Sequence, residues 1–202
     1  SFNNVAVSFS FDARQRDSES VLRGLFREPP LIVVEEKKQE DEKDRRWSKN
    51  VHKRAFMGNQ KKAIDYAIEN LTRRDPLQQK PIIALVDCGP GLEEGILASI
   101  AARGLTDNLE AVIADVVHVS EYIWKAANTI LGEKFKGRTE WVRSVMKDLL
   151  ESKTEQVIKD LKANVNKTNL NKRKKEQLEK TIAYLTNHGH NPDSYLEESQ
   201  RI

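Results

Sequence analysis

The sequence predicts an α/β core followed by an all-helical region, and three observations carry that expectation. Ile82-Ile83-Ala84-Leu85-Val86 is continuously apolar up to Asp87, as a strand covered on both faces is. A second apolar run, Glu110 to Val117, follows a helical pattern at Leu92, Ile96, Leu97 and Ile100, and strand, helix, strand implies a parallel pair with a right-handed crossover. Beyond Val117 the apolar residues recur only at helical spacing.

The elements follow in order. Val5, Val7, Phe9 and Phe11 alternate with small or polar residues, which predicts a strand with those four on its buried face. Asp17 or Ser18 caps a helix carrying Val21, Leu22, Leu25 and Phe26, and Pro29-Pro30 ends it. Residues 35 to 46, EEKKQEDEKDRR, are nearly all charge and predict a solvated loop. A short strand over Val51 to Phe56 precedes a helix through Ile64, Ala67, Ile68 and Leu71 that stops before Asp75-Pro76. The strand Ile82 to Asp87 comes next, then the helix closed by Gly104, then the strand Glu110 to Val117. Four helices complete the chain: Val119 to Leu131, one around Trp141 to Leu149, one around Val157 to Val165, and one through Leu178, Ile182 and Leu185. The expected division is a core over 1–117 and a helical region over 118–202.

Composition narrows the function classes. Of 202 residues, 38% are hydrophobic and 32% charged, which fits a globular chain and neither a collagen nor a disulfide scaffold. No apolar run approaches the roughly 20 residues of a membrane helix, and SFNNVAVSF has no signal-peptide pattern, so a cytoplasmic, membrane-free protein is expected. The single cysteine, Cys88, has no partner for an internal disulfide and no histidine near it in sequence to make it a nucleophile. The net charge of +3 is unevenly spread, with Lys172, Arg173, Lys174 and Lys175 consecutive. Such a run either neutralises DNA phosphates or forms a solvated helix face.

Three places carry candidate chemistry. Asp87 ends a buried strand ahead of a Gly-Pro-Gly turn, where ligands gather in α/β sheets; it is either a cation ligand or the cap of the next helix. Asp115 and His118 form an Asp-x-x-His, read either as a satisfied structural pair or as metal ligands. His188 and His190 in NHGHNP fit a polar turn better than a metal site, having no cysteine or third histidine beside them.

These residues resemble a family. RRDPLQQKPIIALVDCGPGLEEGIL followed by EAVIADVVHVSEYIWKAANTILGE is similar to bacterial insertion-sequence transposases of the Kra type, most specifically in VSEYIWKAA. The resemblance extends less sharply to DRRWSKNVHKRAF and on to PDSYLEESQRI. It implies an RNase H-like mixed sheet core followed by a helical insertion, and a DDE transposase catalysing metal-dependent DNA strand cleavage and transfer. It implies two Mg2+ (or Mn2+) ions held by two Asp and one Glu, with Asp87 as the second Asp and Asp115 and His118 as a supporting motif. One metal of such a pair activates the attacking oxygen and the other stabilises the leaving oxygen. DNA is the implied partner, with oligomers assembled on it and a nucleoid location when bound. Two departures stand: the Asp-Gly of the family is here Asp87-Cys88-Gly89, and the strand of the first Asp and the final Glu are expected before Val5 and after Ile202. Asp12, which follows a strand, is an alternative first acid by pattern but not by family position. Two competing functions are a non-catalytic, transposase-derived module that binds DNA or protein, and a metal-dependent nuclease or phosphatase on an unrelated α/β sheet.

Overall fold

The computed structural model describes residues 3–10, 16–28, 49–86, 91–166 and 170–188. The charged stretch 35–46, Asp12, His190 and the turn from Asp87 to Pro90 lie outside them. The fold is mixed α/β, with seven α-helices and two small sheets among the described residues. No helix there is long and apolar enough to cross a membrane. The chain divides into two compact units: Ser1–Ala13 with Leu31–Val112, and Arg14–Pro30 with Ile113–Ile202.

The first unit contains β1 (Asn3–Ser10), β2 (Lys49–Met57), α2 (Gln60–Arg74), β3 (Ile82–Val86) and α3 (Leu92–Ala101). A 3-10 turn at Thr106–Asn108 leads into β4 (Leu109–Ala114), whose last two residues cross into the second unit. β1 pairs antiparallel with β2, Val5 opposite Ala55 and Val7 opposite Lys53, while β3 pairs with β4. The expected single sheet holding β1, β3 and β4 is therefore two two-stranded sheets among the described residues.

Burial on β1 runs opposite to the sequence expectation. Val5 is 61% and Val7 45% exposed, whereas Ala6 between them is 7% exposed. The reason is what lies beneath. β1 packs on α2, and the close approach of a helix to a pleated strand favours the small side chain. Phe56 of β2 meets Tyr66 of α2 at 5.7 Å, with the Arg54 guanidinium over both rings. β3 departs likewise from the reading of a strand covered on both faces: Ala84 and Val86 are buried, but Leu85 is 63% exposed. A continuous apolar run reports hydrophobicity without revealing whether a second layer exists to cover it.

Two helices supply the core of this unit. Ile64 and Ile68 of α2 meet Ile100 of α3 and Leu105, with Ile82, Leu92, Ile96 and Leu109 packed around them. Asn59 caps α2 by accepting from the Lys62 amide at 2.9 Å, and Asp75 closes it before Pro76. A polar clamp fixes α2 against α3. The Ser99 hydroxyl donates to Asp65 at 2.8 Å, and Arg103 donates to the Ser99 hydroxyl at 2.7 Å while lying 3.5 Å from the Asp65 carboxylate. Lys61 and then Ser99 hold the Asp65 carboxyl below its ordinary range by hydrogen bonding to its charged form.

The second unit is helical: α1 (Ser18–Leu25), α4 (Val116–Ile130), α5 (Arg138–Leu150), α6 (Thr154–Val165) and α7 (Lys172–His188). α4 packs against α5 and α7, α6 against both α5 and α7, and α1 against α5. Thus α1, placed by sequence order with the core, belongs to the helical unit. Leu22 of α1, Ile123, Ala126 and Ala127 of α4, Val142 of α5 and Leu178 of α7 are fully buried. Asp17 accepts from the Ser20 amide at 2.7 Å and starts α1. Arg143 of α5 joins the first turn of α1 to the chain just past its end, bonding Glu19 in the helix and Glu28 beyond it at 2.9 Å.

Two outcomes test this architecture. Ile100→Ala should destabilise the first unit by about 2–5 kcal/mol in urea unfolding, while Leu85→Ser changes it by less than about 0.5 kcal/mol. A large loss at Leu85 would show that β3 is covered after all. The second concerns Glu28, whose carboxyl is held below its ordinary range chiefly by the hydrogen bond from Arg143. A depressed folded-state pKa contributes stability above the unfolded value of about 4.3 and loses it as pH falls through the folded value. Melting temperature measured from pH 6 down to pH 3 should fall less steeply for Arg143→Met than for the parent. Equal slopes would remove Glu28 from the acid response.

Candidate functional site

Asp115 sits where β4 ends and α4 begins. Its backbone is extended, at φ −60° and ψ 121°, and its Oδ1 accepts from the Val117 amide at 2.8 Å. That is an N-cap, which satisfies one of the amides a helix start leaves unpaired. The predicted strand Glu110 to Val117 therefore stops at Ala114, and Val116 and Val117 are already helical. The apolar run continues across the boundary, so only the carboxylate marks it.

With Asp115 as N-cap, His118 is the third residue of the helix. The two are not hydrogen-bonded to each other among the described contacts. His118 instead presents its ring to aromatic neighbours, 5.4 Å from Tyr122 one turn on and 5.8 Å from Tyr184 of α7, both edge-on. Tyr122 and Tyr184 stack at 4.0 Å with 12° between planes. Nδ1 of His118 lies 3.7 Å from Glu121, and Glu121 lies 3.9 Å from the Lys125 ammonium, itself 4.9 Å from the Tyr122 ring centre.

The rest of SEYIWKAA is taken up in packing. Ile123, Ala126 and Ala127 are fully buried, and the two alanines suit a helix approached closely by α5 and α7. Thr181 of α7, also fully buried, donates to the Tyr122 carbonyl at 3.4 Å. Trp124 lies 6.3 Å from the Phe26 ring and 5.4 Å below the Arg138 guanidinium, which also donates to Asn128 Oδ1 at 2.8 Å.

The basic run opens α7. Asn171 caps that helix by accepting from the Lys174 amide at 3.0 Å, so Lys172, Arg173 and Lys174 fill its first turn. These three are exposed, and Lys175 is half-buried. No acidic residue accompanies them in that turn. Four cations at the positive end of a helix dipole raise the local potential, the reverse of the usual placement. Arg173, Lys174 and Gln177 wall one side of a recess of about 450 Å3, with Lys125, Asn128 and Thr129 of α4 on the other and Glu133 as its only carboxylate.

Asp87 follows β3 directly in sequence but lies outside the described residues, as do Cys88, Gly89 and Pro90. Gly91, the first described residue after the turn, has φ 73° and precedes α3, whose first turn holds Glu93 and Glu94. Among the described residues no three His, Cys, Asp or Glu side chains come together as metal ligands. The Mg2+ or Mn2+ implied by the resemblance thus does not find its ligand set in them, and one oxygen of Asp115 is already engaged. No protein-family model, curated protein or solved structure matches the chain. Sequence reasoning missed the Tyr122–Tyr184 stack around His118, although a tyrosine one turn after a histidine on a helix is a visible signal.

Asp115 separates two roles by substitution. Asp115→Ala should destabilise the helical unit by about 1 kcal/mol in thermal unfolding, with Asp115→Asn close to the parent because the amide oxygen still caps. Equal losses for both variants would point to the charge rather than the cap.

Proposed function

We propose that this chain is part of a DDE-type transposase of the Kra type, acting in DNA strand cleavage and transfer on an RNase H-like core. The observation that carries the reading is the run DVVHVSEYIWKAA, which has the family's spacing of acid, histidine and aromatic residues. Supporting it, β3 and β4 are hydrogen-bonded neighbours and each is followed in sequence by an aspartate, Asp87 and Asp115. In this reading Asp87 is a metal-ligating acid, Asp115 and His118 support the site, and Mg2+ binds only with carboxylates beyond those described. DNA lies along the start of α7, where Lys172, Arg173, Lys174 and Lys175 neutralise phosphates without reading bases. Assembly into oligomers on DNA and a nucleoid location belong to the same reading.

A second reading is favoured by one specific finding. Asp115 and His118 are engaged in capping and ring packing, which fits a transposase-derived module that binds DNA or protein and performs no chemistry. Both readings share the basic helix start and part at Asp87.

Fluorescence anisotropy with a random-sequence duplex tests the shared part. Binding should be salt-sensitive, and joint reversal of the four cations to glutamate should weaken it at least ten-fold and cut the log–log salt slope by about three to four. Unchanged affinity would reduce the run to a solvated helix face. Mn2+ line broadening in NMR spectra of the chain tests the other part: it should centre on the residues flanking Asp87 and vanish in Asp87→Asn. Broadening that ignores this substitution would favour the non-catalytic module.

A further inference from the structure

The loop joining α4 to α5, residues 131–137, carries an aromatic ring on its surface. Phe135 is 52% exposed and stands between Lys134 and Lys136, both exposed. The loop is built to hold it there. The Phe135 amide donates to the Gly132 carbonyl at 3.2 Å, and the Arg138 amide donates to the Phe135 carbonyl at 3.3 Å. Arg138 also donates to the Glu133 carbonyl at 2.8 Å, and Gly132 takes the left-handed backbone, φ 87°, that such a turn favours. Gly137 backs the ring so closely that a β-carbon there would stand 2.8 Å from a ring carbon.

The same loop reaches the polar recess between α4 and α7. Glu133 lines that recess two residues before Phe135, so the ring is at most about 7 Å along the chain from its rim. Arg173 and Lys174 wall the α7 side. Lys125 is engaged by Glu121 at 3.9 Å and Glu133 is the one carboxylate of the recess, which leaves Arg173 and Lys174 to set its charge. Arg138 occupies Oδ1 of Asn128, another lining residue, and so leaves the Asn128 NH2 as a donor.

These pieces fit one kind of ligand. Lys134, Lys136, Arg173 and Lys174 attract a polyanion. An acidic peptide supplies the charge without a flat face for the ring, and a duplex covers the faces of all its bases except at its ends. A single strand carries both features, phosphates along its backbone and a π-face on every base. We propose that the α4–α5 loop and the adjoining recess bind single-stranded DNA, one unpaired base stacking on Phe135 while the neighbouring phosphates are held by Lys134, Lys136, Arg173 and Lys174. The choice of DNA rests on the DNA-binding reading of α7; the preference for an unpaired strand goes beyond it. Stacking on phenylalanine is indifferent to base identity, so the site separates single from double strands without reading sequence.

Fluorescence titration of the whole chain tests this with a single strand of about twelve nucleotides, one of them 2-aminopurine, and with the duplex formed from it. Stacking on Phe135 should quench the 2-aminopurine when the single strand binds. Phe135→Ala should weaken single-strand binding at least about five-fold and abolish the quench, with duplex affinity unchanged. Phe135→Leu, which keeps an apolar side chain against Gly137 but has no π-face, should behave as the alanine variant, and Phe135→Tyr as the parent. Quenching that survives Phe135→Leu, or an equal loss on both DNAs, overturns the proposal. Duplex binding that depends on Lys172 to Lys175, with no response to Phe135 on either DNA, overturns this inference alone. Binding to neither DNA removes the reading beneath it as well. Binding of anionic phospholipid vesicles in place of both DNAs would assign the loop to a membrane surface and overturn it too.

Discussion

The hydrogen bond from the Val117 amide to Asp115 is the constraint on which the helical unit depends. It ends β4 at Ala114 and fixes the phase of α4. Phase decides which residues of SEYIWKAA turn inward. With the helix beginning at Val116, Val119, Ile123, Ala126 and Ala127 share the buried side, while Glu121 and Lys125 stay outside. A start one residue later would rotate the helix by about 100° and carry the alanines away from α5 and α7. The same aspartate that looks like chemistry in the sequence therefore acts first as architecture.

Much of the framework was legible because it rests on local chemistry. Asp17 as the cap of α1, Asp75-Pro76 as the end of α2 and Gly104 beyond α3, at φ 67°, each depend on a single residue type with a backbone preference. What escaped depends on neighbours distant in sequence. Val5 and Val7 alternate as a buried strand face should, yet among the described residues both are exposed, and Ala6 is the buried residue of a strand that packs on α2. Leu85 misleads for the same reason. Val116 and Val117, β-branched and apolar, read as strand until the cap is recognised as a stop. The site was less legible than the fold: Asp115 and His118 read as a pair, yet they are not bonded to each other, Asp115 accepting from a helix amide and His118 packing on two tyrosine rings.

Charge divides the second unit into two kinds of surface. Arg143 lies between Glu19 and Glu28 and binds α1 to α5, so its charge is spent within the fold. Lys172, Arg173 and Lys174 have no acidic residue beside them in the first turn of α7, and their field projects outward. A formal net charge of +3, from 34 Lys and Arg against 31 Asp and Glu, conceals this contrast.

The inverted burial of β1 bears on how this sequence can drift. Ala6 is buried on a strand that packs on α2, whereas Val5 and Val7 beside it are largely exposed among the described residues. The positions free to vary are thus the hydrophobic ones, and the position held is the small one between them. Random substitution filtered only by folding should preserve the alanine and scramble the valines, the opposite of what a hydrophobicity profile would nominate.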